Sequence, residues 1–312
     1  MPIDTIAPSA LAAGDFLGRI FVFDDYGALF SLLSQSIVAG AVLALIGGFI
    51  GTFVMMRDGS FAVHGIAELS FAGAALFLFV GLDVITGSLV GSIAAAAIIG
   101  ILGARASHNS SFIGVLMPFG LGLGILFLSL YQGRSANKFS LLTGQIVSVD
   151  AAQVSEMVIG AVVVIGGLLA VWRPLTFASL DPDVATAKGV PLRGLSMVFM
   201  LLLGVSVALS VQVVGSLLVL ALLITPAAAA IQLTASPVKA VVLSVVFAEL
   251  STVGGIMLAL AGSLPISPYV TTISFLIYIV CRVIAMMRRR LTGSGRISAQ
   301  ENQEEPATSR VH

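Results

Sequence analysis

The chain has 312 residues, 58% of them hydrophobic and 10% charged, with a formal net charge of zero. A soluble domain carries about 25% charged residues, so a single core under a water-facing skin is excluded and a lipid-facing surface is the simpler account. A neutral chain has no field to gather nucleic acid, and one cysteine, Cys281, excludes an internal disulfide or a CxxC zinc motif.

Residues 1–27 hold Asp4, Asp15, Asp24 and Asp25 and no early basic run. This is an exposed segment rather than a signal peptide. The region 28–290 then reads as one all-α, polytopic membrane helix bundle. A crossing needs about 20 apolar residues. Such runs fall at roughly 30–55, 60–82, 84–103, 112–131, 152–172, 191–211, 213–233, 239–262 and 268–287. The turn at Val211–Val214 between the sixth and seventh runs is very short, so one of those two could be re-entrant and the count is eight or nine. After Leu291 the chain turns polar, and 291–312 reads as a disordered cytoplasmic tail.

Lys and Arg set the orientation. Arg57, Arg105, Arg173, Lys188, Arg193, Lys239, Arg282, Arg288, Arg289 and Arg290 fall on one side, against Arg19, Arg134 and Lys138 on the other. The first side is cytoplasmic, which puts the N-terminus outside and the C-terminus inside.

Ionisable groups inside spans are costly and usually functional. His64 and Glu68 stand four apart in the second span and share one helix face. An imidazole and a carboxylate so placed can hold a divalent transition metal. Glu68 lies roughly 12 Å into the span at about 1.5 Å per residue, near the midplane where transporter sites lie. The same spacing also fits a hydrogen-bonded pair that only locks helices together. Glu249 in the eighth span has about the same depth. It is a further ligand or a charge relay, or else a carboxylate bonded to a nearby hydroxyl or kept protonated.

Between the fifth and sixth spans lies a short surface helix. Asp181 is its N-cap, Pro182 its first residue, Ala185 its middle and Gly189 its C-terminal cap. A rigid protrusion of this kind suits a protein driven by a cytoplasmic motor; an ordinary interfacial helix would look the same. His108 and His312 read as solvated, Met55 and Met56 as packing, and Gln212 as a helix-end cap. Pro226 reads as a kink, with the Thr225 hydroxyl near the freed backbone. The sequence has no Gly-x-x-x-x-Gly-Lys-Ser/Thr loop, no HExxH and no GxSxG in a span. It therefore reads as neither an ATPase nor an intramembrane protease, and not as an enzyme.

Two stretches carry a family resemblance. The first is Arg57-Asp-Gly-Ser60-Phe61, then Val63-His64-Gly-Ile-Ala-Glu68, then Phe71-Ala72-Gly73. The second runs through Asp181, Ala185, Gly189, Val190 and Pro191 into Val213-Val-Gly215-Ser-Leu-Leu-Val219 and Ala221-Leu-Leu-Ile-Thr-Pro226-Ala-Ala-Ala-Ala230. Over roughly 35–285 the chain resembles the membrane permease subunit of the manganese/zinc (ABC-3) class of ABC importers. The family's Asp is His64 here, its His is Glu68, and its Pro before Gly73 is Ala72, so a helix break there would be milder.

The resemblance implies that His64 and Glu68 bind the metal in the pathway. It implies that Asp181–Gly189 is a coupling helix docking into an ATPase. The expected partners are a second copy of the chain, a cytoplasmic ATP-binding subunit, an extracellular metal-binding protein and membrane lipid. ATP is used by the partner alone and no cofactor is held permanently; the metal is cargo, manganese or zinc, with iron also open. The location implied is the bacterial plasma membrane. The rival is a stand-alone secondary transporter or channel for divalent cations, with Glu68 and Glu249 as a relay.

Overall fold

The computed structural model describes residues 33–103, 109–133, 149–216, 218–260 and 266–304. The expected N-terminal segment 1–27, and Arg105, His108, Arg134, Lys138 and His312, lie outside them. The described residues form helices α1 (Ser34–Met56), α2 (Ser60–Val80), α3 (Val84–Gly103), α4 (Asn109–Leu130), α5 (Ala151–Ala170) and α6 (Trp172–Leu180). These are followed by α7 (Pro182–Ala187), α8 (Leu192–Val214), α9 (Val219–Leu223), α10 (Thr225–Leu233), α11 (Pro237–Leu260) and α12 (Ile266–Glu304). Eight of them (α1–α5, α8, α11 and α12) are long and apolar enough to cross a membrane. The protein is a multi-pass membrane helix bundle.

The expected continuous span at 213–233 is absent. Instead α8 runs on to Val214, Gly215 turns at a φ of 78°, and the chain continues as the short helices α9 and α10. Proline is the cause: Pro226 has no N–H to give to the preceding turn, so the helix is interrupted there. The last helix runs on beyond Leu291. The backbone of α12 stays helical to Glu304, because polar composition removes a burying face without breaking i→i−4 bonds, and the first proline after it is Pro306. The stretch expected to close the fifth span at 172 instead begins the separate helix α6.

Helix ends are fixed locally. At α1, Gly59 N–H reaches Val54 O at 2.8 Å while Asp58 takes a φ of 52°, a closing pattern in which a small polar residue replaces the usual glycine. Asp83 caps α3 by accepting from the backbone N–H and the hydroxyl of Thr86, at 2.8 and 2.7 Å. Asp150 and Gln153 form a reciprocal capping box on α5.

Close approach of backbones builds the interior, as membrane packing requires. A Cβ on Gly91 would lie 2.3 Å from Leu69 O, and one on Gly73 2.3 Å from Gly87 O, so α2 and α3 meet almost backbone to backbone. The buried Ser70 and Ser88 hydroxyls hydrogen-bond across that seam at 2.7 Å. On α1, Gly47 and Gly51 receive the carbonyls of Leu222 and Leu223 from α9, and Gly48 abuts Val245 of α11.

These contacts also order the chain in space. Gly40 meets Thr252 and Gly48 meets Val245, so α11 is antiparallel to α1; Gly100 meets Met200 and Gly204 meets Ser92, so α8 is antiparallel to α3. Arg57 lies 5.3 Å from the Phe199 ring near the start of α8. Gln212, near the end of α8, donates to Ile85 O at the start of α3. Hence α8 ends opposite the side on which α11 begins, and α9 with α10 carries the chain between those two ends. That passage, seventh in chain order among the described residues, is made in two short pieces. Arg57, Arg173, Lys188, Arg193, Lys239 and Arg288 gather at one end of the bundle, and the start of α1 lies at the other.

Candidate metal site

His64 sits one turn into α2, and Glu68 follows one turn later. The His64 Nε2 and Glu68 Oε1 atoms are 3.9 Å apart, with side chains 33% and 4% exposed. The pair is beyond hydrogen-bonding distance. Metal–nitrogen and metal–oxygen bonds of about 2.1 Å would let one cation touch both atoms at an open angle. Two further atoms of the pair, His64 Nδ1 and Glu68 Oε2, are buried and lack a hydrogen-bond partner among the described residues. Buried polar atoms are normally paired, so the pair keeps unused hydrogen-bonding or metal-binding capacity.

The surroundings place the pair. On one side Gly120 of α4 brings its backbone against Glu68; a Cβ there would lie 3.1 Å from the Glu68 carbonyl carbon. On the other, His64 faces a groove of about 460 Å3, with Ser60 and Phe61 on its own wall. Leu220, Ala221, Ile224 and Thr225 of the broken passage form the opposite wall. Sequence reasoning pointed to His64 and Glu68 and read a kink at Pro226, but it did not foresee that opposite wall; the signal was an apolar run whose proline falls too near its middle for one straight crossing. Ala72 leaves α2 unbroken from Ser60 to Val80.

Glu249 is not brought to the pair. Among the described residues no three His, Cys, Asp or Glu side chains come together. Glu249 is half-buried on α11, which packs on α1, α10 and α12, whereas α2 packs chiefly on α3 and α4. Through Leu222, Gly47 and Val245 its level matches that of Glu68, one turn above His64. The hydroxyl of nearby Ser251 donates to Ala248 O rather than to the carboxylate.

The surface helix α7 has the predicted caps. The Asp181 carboxylate accepts from Val184 N–H at 3.0 Å and Pro182 opens the helix. At its other end Gly189 takes a φ of 79°, its N–H reaches Thr186 O at 2.9 Å, and Val190 N–H reaches Ala185 O at 3.0 Å. Ala185 is buried while its helical neighbours are exposed. A cleft of about 360 Å3 separates Pro182 and Leu192 from the Met56–Asp58 turn that leads into α2.

A family model described as the ABC 3 transport family matches residues 29–285. The chain belongs to the ABC 3 transport family. Its relatives in the family include the manganese transport system membrane protein MntC of Listeria monocytogenes, 27% identical over 82% of this chain and 91% of that protein. Another is the high-affinity zinc uptake system membrane protein ZnuB of Haemophilus influenzae, 24% identical over 81% of this chain and 97% of that protein. Among solved structures, PsaBC from Streptococcus pneumoniae in complex with Fab has a chain that superposes with a TM-score of 0.74 at 23% identity, covering 83% of this chain and 95% of that one. The bundle is therefore the family fold. Within it, His64 and Glu68 stand one imidazole and one carboxylate a turn apart.

Proposed function

We propose that this family member is the transmembrane subunit of an ATP-binding-cassette importer for a divalent transition metal, manganese or zinc, in a bacterial plasma membrane. The observation that carries the reading is the His64–Glu68 donor pair facing a groove beside a broken helix. Broken helices at mid-bundle are where transporter folds place their substrates. Names of relatives that move manganese and zinc support the cargo class.

The pair supplies two ligands and a four-coordinate metal needs more. A second copy of the chain facing the His64 groove would bring them, and Phe61, 59% exposed beside it, is apolar surface for such a contact. A separate ATPase would dock at α7, and a metal-binding protein would deliver cargo to the opposite face. The gathering of basic residues at the α7 end makes that end cytoplasmic.

The test is metal uptake into proteoliposomes holding this subunit, its ATPase and the binding protein. ATP-dependent uptake that collapses in His64→Ala and Glu68→Gln is the expected result. Uptake without ATP would replace the reading with a self-sufficient transporter. Full uptake in both variants would reduce the pair to a helix lock.

A further inference from the structure

A second groove, of about 690 Å3, opens on the other face of α1. The two faces of that helix are distinct. Gly47 and Gly51 turn towards α9 and α10, whereas Phe49 and Phe53 turn towards Trp172, with ring centroids 5.9 and 5.2 Å away in edge-on geometry. Trp172, Phe49 and the buried Val241 floor the groove. Leu169, Val238 and Val242 wall it, and they are 55%, 57% and 58% exposed.

The groove is apolar along its length and basic at one end. Arg173 lines it where α5 gives way to α6, and exposed Lys239 follows Val238 at the start of α11. Neither cation has an ion-pair partner among the described residues. Because α1, α5 and α11 are spanning helices, the walls lie in hydrocarbon and Arg173 lies at the headgroup level. Tryptophan and arginine are the side chains that suit that boundary. An acyl chain matches the walls, and a phosphate supplies the negative charge that the protein does not. Basic pockets between spanning helices on the cytoplasmic side take anionic headgroups for this reason.

We propose that the groove between α1, α5 and α11 is a binding site for one anionic phospholipid, its acyl chain along Trp172 and Val242 and its phosphate on Arg173. The site depends on the membrane reading and is independent of the metal pair.

Native mass spectrometry of the full chain in detergent tests it. The delipidated protein is titrated with phosphatidylglycerol, with phosphatidylcholine of the same chains, and with glycerol phosphate. One phosphatidylglycerol per chain should bind about tenfold more tightly than phosphatidylcholine, the scale of one charge-assisted contact, and glycerol phosphate should not displace it. Arg173→Gln should erase the tenfold preference, and Val242→Trp, which fills the groove, should remove both lipids. Equal binding of the two lipids to the wild type, or an unchanged preference in Arg173→Gln, would overturn the proposal. Displacement by glycerol phosphate would overturn the acyl half of it. Loss of a protein dimer in Val242→Trp would make the groove a protein interface instead. Arg173 is exposed, so the glutamine variant keeps the fold and stands even if Val242→Trp does not express.

Discussion

Leaving a buried carboxylate oxygen unpaired costs about 1–3 kcal/mol, and Glu68 Oε2 is in that condition. A residue kept only for stability would not carry such a cost, since an apolar group of similar size in its place is often neutral or stabilising. Glu68→Leu is therefore expected to melt at or above the wild-type temperature while abolishing metal uptake. A fall in both would make the pair structural. Asp83 works the other way. The Thr86 backbone N–H, then its hydroxyl, hold the Asp83 carboxyl below the ordinary aspartate range. Its capping contribution is complete above the ordinary aspartate pKa and is lost as the pH falls through the lowered one. Asp83→Ala should cost about 1 kcal/mol at neutral pH. Thermal melts of mutant and wild type should converge in strong acid; a gap that persists there would remove the carboxylate from the account.

Glycines in this bundle divide into seams and open faces. A Cβ on Gly51 would lie 1.8 Å from Leu223 O, whereas one on Gly122 meets nothing within 4 Å. Gly51→Ala should destabilise by about 1–3 kcal/mol, the usual range for overpacking, and Gly122→Ala should be neutral or mildly stabilising. Melting temperatures in detergent separate the two, and equal shifts would contradict the packing of α1 on α9. The element α7 has its own test. Ala185 N–H bonds Asp181 O at 3.0 Å, so Ala185→Pro removes that bond and breaks the helix at a cost of about 3 kcal/mol. Capture of the proposed ATPase partner should fail in this variant while the bundle still folds. Retained capture would move the docking surface away from α7.

At the scale of the whole molecule, the eight long helices and the broken passage among the described residues put the start of α1 and Arg288 at opposite ends. In a Cys281→Ser background, a cysteine at Lys188 should react with an impermeant thiol reagent only from the cytoplasmic side, and one at Leu82 only from outside. Labelling of both from one side would break the topology. Much of this was legible in the sequence. Runs of about 20 apolar residues gave the eight long helices, and Asp181, Pro182 and Gly189 gave the short one because capping is a local matter. The pair His64–Glu68 was legible because spacing on one helix fixes a shared face. Less was legible where the outcome depended on distant contacts. Nothing near Leu220 or Thr225 announces that they face His64, and the depth of Glu249 said nothing of its direction. The short helix α6 was missed because Trp172 resembles the tail of a span, and only the contacts of Phe49 and Phe53 with its indole set it apart.

The two walls of the His64 groove differ in stiffness. Helix α2 is clamped to α3 by the Ser70–Ser88 bond and by the meshed backbones at Gly73, Gly87 and Gly91, so it cannot tilt without dragging its neighbour along. Across the groove stand two helices of five and nine residues, joined where Pro226 offers no hydrogen bond. One wall of the groove is thus a single long helix that carries His64 and Glu68, and the other is a pair of short helices that carries neither and rests on α1 through Gly47 and Gly51. On the proposed function, widening of the groove is expected at the wall of short helices, with the spacing of His64 and Glu68 on α2 held.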